Sequence, residues 1–484
     1  MDGNDLLRLG FRPGKAIGLA LQAAQTAQDA GASEEDVLSD LAEVLNAPAD
    51  YLDDPIYGRV AQALVAFERH RERTAGYDLS TAAPYKVWGE QDIEPGALEQ
   101  MKRAVRLPVA VRGALMPDAH QGYGLPIGGV LATENSVIPY AVGVDIACRM
   151  RMTVFNASPQ ILDQQRDRFR AVLEEQTCFG AGGEWERPRE HEVLDDPAWT
   201  EHPVASRFRD IARRQLGTSG SGNHFVEFGA LHVHSTIESP QGVIPPGTYL
   251  ALLSHSGSRR FGLEMAEHYT KVAMRQRAGL PKDFQHLAWL ELDEEAGVEY
   301  WEAMTLAGKY ASANHAVIHR QIIDALRIPV LGGIENHHNF AWKEIVDGQE
   351  VIVHRKGATP AARGALGVIP GSMSAPGFVV RGLGNPESLD SAAHGAGRRM
   401  SRKQAFQSFD WETVEHKLRD LGVELLSAGL DEAPDAYKDI RQVMADQSDL
   451  VVALAEFYPR LVKMDPGERP RYGGGGKKGK KRRK

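Results

Sequence analysis

From Val109 onward, short apolar runs rich in valine and isoleucine alternate with stretches of helical period, as at residues 128–132, 137–144, 249–253 and 351–354. Runs this short, bounded by polar and glycine positions, fit strands buried on both faces better than helices, which need longer periodic windows. They predict a mixed α/β body with buried strands. The first 75 or so residues follow the helical period instead. Ser33 with Asp36 forms a capping-box-like start, and Val37, Leu38, Leu41, Val44 and Leu45 share one helical face. Pro48 ends that helix, a second amphipathic helix is expected over residues 57–73, and a connector at 80–89 leads into the body. The expected division is a small N-terminal helical module (1–77), a large mixed-sheet domain (78–465) and a disordered basic C-terminal tail (466–484).

At 484 residues the chain can bury a large core. The formal net charge is −9, yet the last eight residues include seven lysines and arginines, so the remainder carries −16. The charge is polarised, and the tail is expected to tether RNA through its phosphates, with a steep dependence on salt. Two cysteines argue against a disulfide framework and for a reducing compartment, where a cysteine is more often buried, catalytic or metal-bound. The first residues, Met1-Asp2-Gly3-Asn4-Asp5, have neither a basic n-region nor an apolar h-region, and no stretch approaches the roughly 18 apolar residues of a membrane span. A cytoplasmic protein with no membrane partner is expected.

The chemistry concentrates in five islands. Asp145-Ile146-Ala147-Cys148 puts a carboxylate and a thiol three residues apart, and four later islands each carry a histidine in a Gly/Ser or polar context. These are Gly222-Asn223-His224-Phe225-Val226-Glu227, Ser254-His255-Ser256-Gly257-Ser258-Arg259, Asn336-His337-His338-Asn339 and His394-Gly395-Ala396-Gly397-Arg398. One thiolate, one carboxylate and several imidazoles make a ligand set suited to a first-row divalent metal such as Mn, Fe, Co or Zn. Most islands follow or interrupt an apolar run, so they belong at strand ends and loops of a rigid scaffold. His337 and His338 are adjacent, so only one is expected to face any given centre.

His394 differs from the others because it opens a Gly-Ala-Gly turn and is followed by Arg398, Arg399, Arg402 and Lys403. An imidazole beside backbone amides and guanidinium groups suits attack on a phosphoryl group, whose developing charge needs fixed donors and cations. Pro370-Gly371-Ser372-Met373 adds a flexible turn, and His354-Arg355-Lys356-Gly357-Ala358-Thr359 adds further cations able to meet phosphate. No Gly-x-x-x-x-Gly-Lys-Ser/Thr run and no usable Gly-x-Ser-x-Gly elbow are present, which disfavours the familiar nucleotide-binding and hydrolase scaffolds.

These islands, with Met116-Pro117-Asp118-Ala119-His120-Gln121-Gly122 and Ala436-Tyr437-Lys438-Asp439-Ile440, resemble in order and spacing the RtcB family of tRNA-splicing and RNA-repair ligases, over about residues 85–463. The resemblance implies an α+β fold with a large mixed-sheet RtcB-like catalytic domain that uses GTP and two Mn(II) ions to join RNA ends, a 2′,3′-cyclic phosphate or 3′-phosphate to a 5′-hydroxyl. Broken tRNA is one such substrate, and an activating protein partner is allowed for. It implies that His394 is the catalytic nucleophile, taking up guanylate from GTP before passing it to the RNA 3′-phosphate to give an RNA(3′)pp(5′)G end. It further implies Cys148 bridging two metals, with His255 and His338 on one and Asp145 and His224 on the other. By the same likeness the guanylate contacts are Asn223, His224, Phe225, Val226, Glu227, His338, Asn339, Pro370, Gly371, Ser372, Met373, His394, Gly395, Ala396, Gly397 and Lys463. A dinuclear metallophosphoesterase acting on RNA ends would use the same metal ligands without needing His394, and a non-catalytic RNA-binding factor would need neither.

Overall fold

The computed structural model describes residues 1–12, 14–75 and 77–467. The basic cluster at 477–484 therefore lies outside the described residues. The body is α+β, as the family likeness implies, and its two principal sheets share one crossing point.

The smaller sheet runs in the order Tyr85–Val87, Ala110–His120, Ile127–Thr133, Gln349–Lys356, Asn339–Val346. The larger runs Val330–His337, Arg149–Phe155, Gly247–Ser256, Phe225–Val233, Val451–Met464, Gly377–Gly382, Leu366–Ile369, with Glu424–Ser427 added in parallel to Val451–Met464. The two ends of this order meet. The Asn336 side chain accepts from the Val368 N–H at 2.8 Å and donates to the Val368 carbonyl at 3.4 Å, standing in for a missing pair of ladder bonds.

Val330–His337 belongs to the larger sheet and Asn339–Val346 to the smaller, so His338 is the single residue between them. The chain changes sheets at that residue, which fixes its backbone from both sides. The long helix Glu295–Leu326 backs the larger sheet, burying Tyr300, Met304, Ala307, Tyr310, Ala311, Asn314, Val317 and Ile318 at intervals of three and four residues. With Arg259–Gln276 it encloses a core that includes Trp199, Phe261, Tyr269 and Trp289.

Residues 137–144 depart from the expected strand. Only Ser136–Val137 pairs, and the run turns into the short helix Pro139–Val142. Proline has no N–H for a ladder bond and its fixed φ suits a first helical turn, so Pro139 stops the strand and starts the helix.

Four helices, Gly3–Leu9, Lys15–Asp29, Glu34–Asn46 and Gly58–Ala75, pack around their own apolar core of Leu6, Ala20, Ala24, Val37, Leu41, Val44 and Val60. The Ser33–Asp36 capping box forms. Tyr77 packs edge-on against Trp289 of the body at 5.9 Å between centroids.

Candidate active site

Cys148 ends the turn that enters the strand Arg149–Phe155, and its neighbours in the sheet carry the histidines to it. Phe225–Val233 and Gly247–Ser256 are paired with Phe225 opposite His255, which sets His224 and His255 side by side. The His338 N–H donates to the Cys148 carbonyl at 3.0 Å, so the sheet crossing is tied directly to the thiol.

The resulting side-chain geometry is tight. Cys148 Sγ lies 3.0 Å from His255 Nε2 and 3.4 Å from His224 Nε2. His255 Nε2 is 3.2 Å from His338 Nε2, and His224 Nε2 is 2.8 Å from Asp145 Oδ2. Two sets of ligand atoms therefore share the sulfur: Cys148, His255 and His338 on one side, and Asp145, Cys148 and His224 on the other.

The donor types and their hydrogen-bond partners suit a cation at this place. His255 Nδ1–H donates to the Asn223 carbonyl at 3.1 Å, which leaves a lone pair on Nε2 facing His338. Burial pushes the His255 pKa down to about 3, and burial with the nearby imidazoles of His394 and His255 drives His338 well below its ordinary value. Burial raises the Asp145 carboxyl, but His224 beside it, with Arg259, holds it below the usual carboxylate value. Burial and the adjacent Asp145 push the Cys148 thiol up. The neutral His255 and His338 and the Asp145 carboxylate offer lone pairs around the shared sulfur, and a metal bound there would displace the thiol proton. The donor set thus fits a divalent metal on each side of Cys148.

His394 stands beside this cluster, its ring 4.9 Å from that of His338. Its Nδ1–H donates to Asp118 Oδ2 at 2.6 Å, and the same oxygen accepts from the N–H groups of His394 and Gly395 at 3.2 and 3.3 Å. Asp118 is fully buried. The turn after His394 presses against this segment: Gly397 has φ +72°, and a Cβ there would lie 2.0 Å from the Asp118 carbonyl oxygen. Nδ1 being committed to Asp118, the free ring nitrogen is Nε2.

A cavity of about 1070 Å³ joins these groups, lined by Asp145, Cys148, His255, His338 and His394 among others. Asn223, Phe225, Glu227, Asn339, Pro370, Gly371, Ser372, Met373, Gly395, Ala396 and Gly397 line it too. Burial raises the Glu227 pKa to about 8 and lowers that of Lys356, also in the wall, to about 7. Asn339, in the same wall, is oriented by the scaffold, donating to the Asp145 carbonyl at 3.1 Å and accepting from the Gly357 N–H at 2.8 Å.

Three expected guanylate contacts are not in this lining, and the first, His224, is turned to Asp145 in the ligand cluster. Val226 points away from Phe225 and Glu227 by strand alternation, into a core with Phe155 and Phe228. The Lys463 amine donates to the Leu173 and Glu174 carbonyls at 3.1 and 3.4 Å. The cations after His394 are partly committed as well. Arg398 pairs with Glu432 at 3.3 Å and Arg402 with Asp431 at 3.1 Å. His337 turns from the site and packs its ring on Phe340 and Trp342, so of the adjacent pair it is His338 that faces the thiol.

Asp118 is the site residue that the islands did not supply as a participant. A carboxylate inside the buried run Ala114–Ala119 is expensive without a partner, and that mismatch was the available signal.

The profile of the family described as tRNA-splicing ligase RtcB matches residues 100–464, ending with the strand Val451–Met464 and leaving the N-terminal helices outside. RNA-splicing ligase RtcB of Escherichia coli K12 is 34% identical over 411 residues, spanning 78% of this chain and 96% of that protein. The tRNA-splicing ligase RtcB of Thermococcus kodakarensis is 29% identical over 444 residues, 76% of this chain and 91% of its own. RNA-splicing ligase RtcB of Mycobacterium bovis is 31% identical over 429 residues, 74% and 98% respectively. With a match over most of the body and relatives covered almost end to end, the chain belongs to the RtcB family of RNA ligases.

Proposed function

We propose that this protein is a GTP- and Mn(II)-dependent RNA ligase that joins RNA 2′,3′-cyclic phosphate or 3′-phosphate ends to 5′-hydroxyl ends in the cytoplasm. The observation that carries the reading is His394: one ring nitrogen is fixed by Asp118 at 2.6 Å, and the ring stands 4.9 Å from a histidine of the metal-ligand cluster, in one cavity. A dinuclear phosphoesterase would have no use for such a nucleophile.

Asp145, Cys148 and His224 would hold one Mn(II), and Cys148, His255 and His338 the other. Bound there, the metals supply positive charge that neutralises phosphate oxygens and orients them. His394 Nε2 attacks the α-phosphorus of GTP, forming a P–N bond as the α–β anhydride bond breaks and pyrophosphate leaves. Asp118 keeps the proton on Nδ1 and stabilises the ring as it gains charge. An RNA 3′-phosphate oxygen then attacks the guanylyl phosphorus, breaking the P–N bond and giving RNA(3′)pp(5′)G. The 5′-hydroxyl of the second strand attacks the 3′-phosphorus, forms the phosphodiester and releases GMP, its proton passing to solvent or a wall base. A cyclic end is opened beforehand by water to the 3′-phosphate.

In this reading the guanylate lies along Asn223, Phe225, Glu227, Asn339 and the turns at 370–373 and 395–397. Glu227, whose pKa of about 8 keeps it protonated at neutral pH, can donate to the base. Lys463 reaches the guanine by exchanging the carbonyls of Leu173 and Glu174 for it.

Incubation with Mn(II) and α-labelled GTP, followed by a denaturing gel, tests this. Acid-labile label is expected on the wild type and absent from His394→Ala, with Cys148→Ala losing it through the metal. A folded, metal-loaded wild type that takes no label would overturn the ligase reading, and phosphate release from RNA ends without label would point to the phosphoesterase.

A further inference from the structure

Tyr123 is 71% exposed, the most exposed large apolar side chain among the described residues, and it lies on the wall of the active-site cavity. It does not stand alone. Its ring is 6.5 Å from Tyr140, tilted by 30°, and 6.0 Å edge-on from His286, which in turn lies 5.2 Å from Tyr140. Three aromatic rings from three separate segments thus form one cluster at the rim, with Tyr123 and His286 open to solvent.

The backbone is built to bring them together. Gly124 has φ +70°, and a Cβ there would stand 2.6 Å from the His286 carbonyl oxygen, so only glycine lets the loop approach that closely. The Lys356 amine, rooted in the cavity wall, donates to the Tyr123 carbonyl and anchors the loop from below. Two of the three segments also lie a short way along the chain from the reacting groups. Tyr123 is five residues beyond Asp118, the partner of His394, and Tyr140 is five residues before Asp145. The Tyr123 loop and the Tyr140 helix are thereby joined by short lengths of chain to the nucleophile's partner and to the metal ligands.

An exposed apolar ring at a cavity mouth invites a flat, weakly polar partner. Unpaired nucleobases are recognised by stacking on such rings, with little dependence on which base is presented. We infer that Tyr123, supported by Tyr140 and His286, is a stacking platform for an unpaired nucleobase next to the RNA end that enters the cavity. The inference rests on the RNA-ligase reading for its ligand and adds to it where the strand leaves the site.

Binding of a short single-stranded RNA with a 3′-phosphate is measured by fluorescence anisotropy with Mn(II) and without GTP, on the full chain. The same RNA with abasic residues at its two terminal positions serves as the partner control. Tyr123→Ala is expected to bind the normal RNA about tenfold more weakly, within the range of one lost base stack, and Tyr123→Phe to bind like wild type. On the abasic RNA wild type and Tyr123→Ala should bind alike. Equal weakening on both RNAs, or no weakening on either, would overturn the platform; the latter leaves the patch to a protein partner. Because GTP is absent, a failure here is distinct from failure of the ligase reading, which the guanylate label on wild type decides.

Discussion

Asp118 holds His394 by three hydrogen bonds to one carboxylate oxygen, from Nδ1 at 2.6 Å and from two consecutive backbone N–H groups at 3.2 and 3.3 Å. One side chain therefore sets the tautomer, the ring orientation and the turn that follows. Asp118→Asn can present its own N–H to Nδ1 and favour the wrong tautomer, in which Nε2 carries the proton. Guanylate transfer to His394 is expected to fall by roughly 10²-fold or more, the scale of a lost positioned proton acceptor. Single-turnover labelling measures it, with circular dichroism and metal content unchanged; a variant that labels at the wild-type rate would remove Asp118 from the chemistry.

Glu335 ties Cys148 to its strand partner from outside the cavity. It pairs with Arg149, the residue after Cys148, and with Arg151 at 2.7 Å, and accepts from Ser312 at 3.0 Å. Arg149 faces His337 in the ladder, so the pair spans the strands that carry Cys148 and lead into His338. The Arg149 and Glu335 side chains are 8% and 17% exposed, and Glu335→Ala strands two guanidinium groups in a poorly solvated place. A loss of about 3 kcal/mol in unfolding free energy is expected, at the lower edge for breaking a buried pair. Urea denaturation reads the stability, and titration with Co(II), followed by its thiolate charge-transfer band, should show weaker binding.

Among the described residues, polar and backbone contacts join the N-terminal helices to the body, with Arg12 near Glu294. Gly14 lies against Asp293, and Lys15 pairs with Glu350 at 3.3 Å with both side chains exposed, the kind of pair that contributes roughly 0–1 kcal/mol. Their apolar core is their own. A chain starting at Tyr77 is expected to keep the melting temperature of the body, its metal content and its guanylate labelling. Aggregation or loss of metal on truncation would show that the helices support the site.

Much of this was legible in the sequence, for definite reasons. The 351–354 and 249–253 runs lie inside strands because their apolar residues are buried on both faces. The helix at Glu34–Asn46 was marked by its capping box and its apolar face. The helix Lys15–Asp29 was not, because its buried face is Ala20, Ala23, Ala24 and Ala27, and alanine gives little contrast against polar neighbours. The histidine islands converge because each falls at a strand end. What periodicity cannot supply is pairing across distance. Asp118 and His394 are 276 residues apart, and Arg149 and Glu335 are 186 apart. Packing of separate sheets brings the first pair together, and strand register the second.

Behind the metal-ligand strand lies a buried chain of neutral hydrogen bonds that should make the fold acid-sensitive. Thr153 meets His319 Nδ1 at 2.7 Å, and Ser254 meets His319 Nε2 at 2.9 Å and His315 Nδ1 at 3.0 Å. Burial drives His319 well below its ordinary value of 6.5, with Arg151 adding to the effect, and burial does the same to His315. In the unfolded chain both titrate near 6.5, so below that pH the unfolded state binds more protons than the folded one. Stability is then fully present above pH 6.5 and falls as pH drops through it, by about 1.4 kcal/mol per pH unit for each histidine, until the folded values are reached. His319→Gln keeps a neutral hydrogen-bonding group without a titration. Its unfolding free energy between pH 6.5 and 5 is expected to fall less steeply than wild type by about 1 kcal/mol per unit, since the unfolded histidine is only half protonated at the upper end. Urea melts at half-unit intervals provide the two slopes, and parallel slopes would mean that His319 takes up its proton without unfolding.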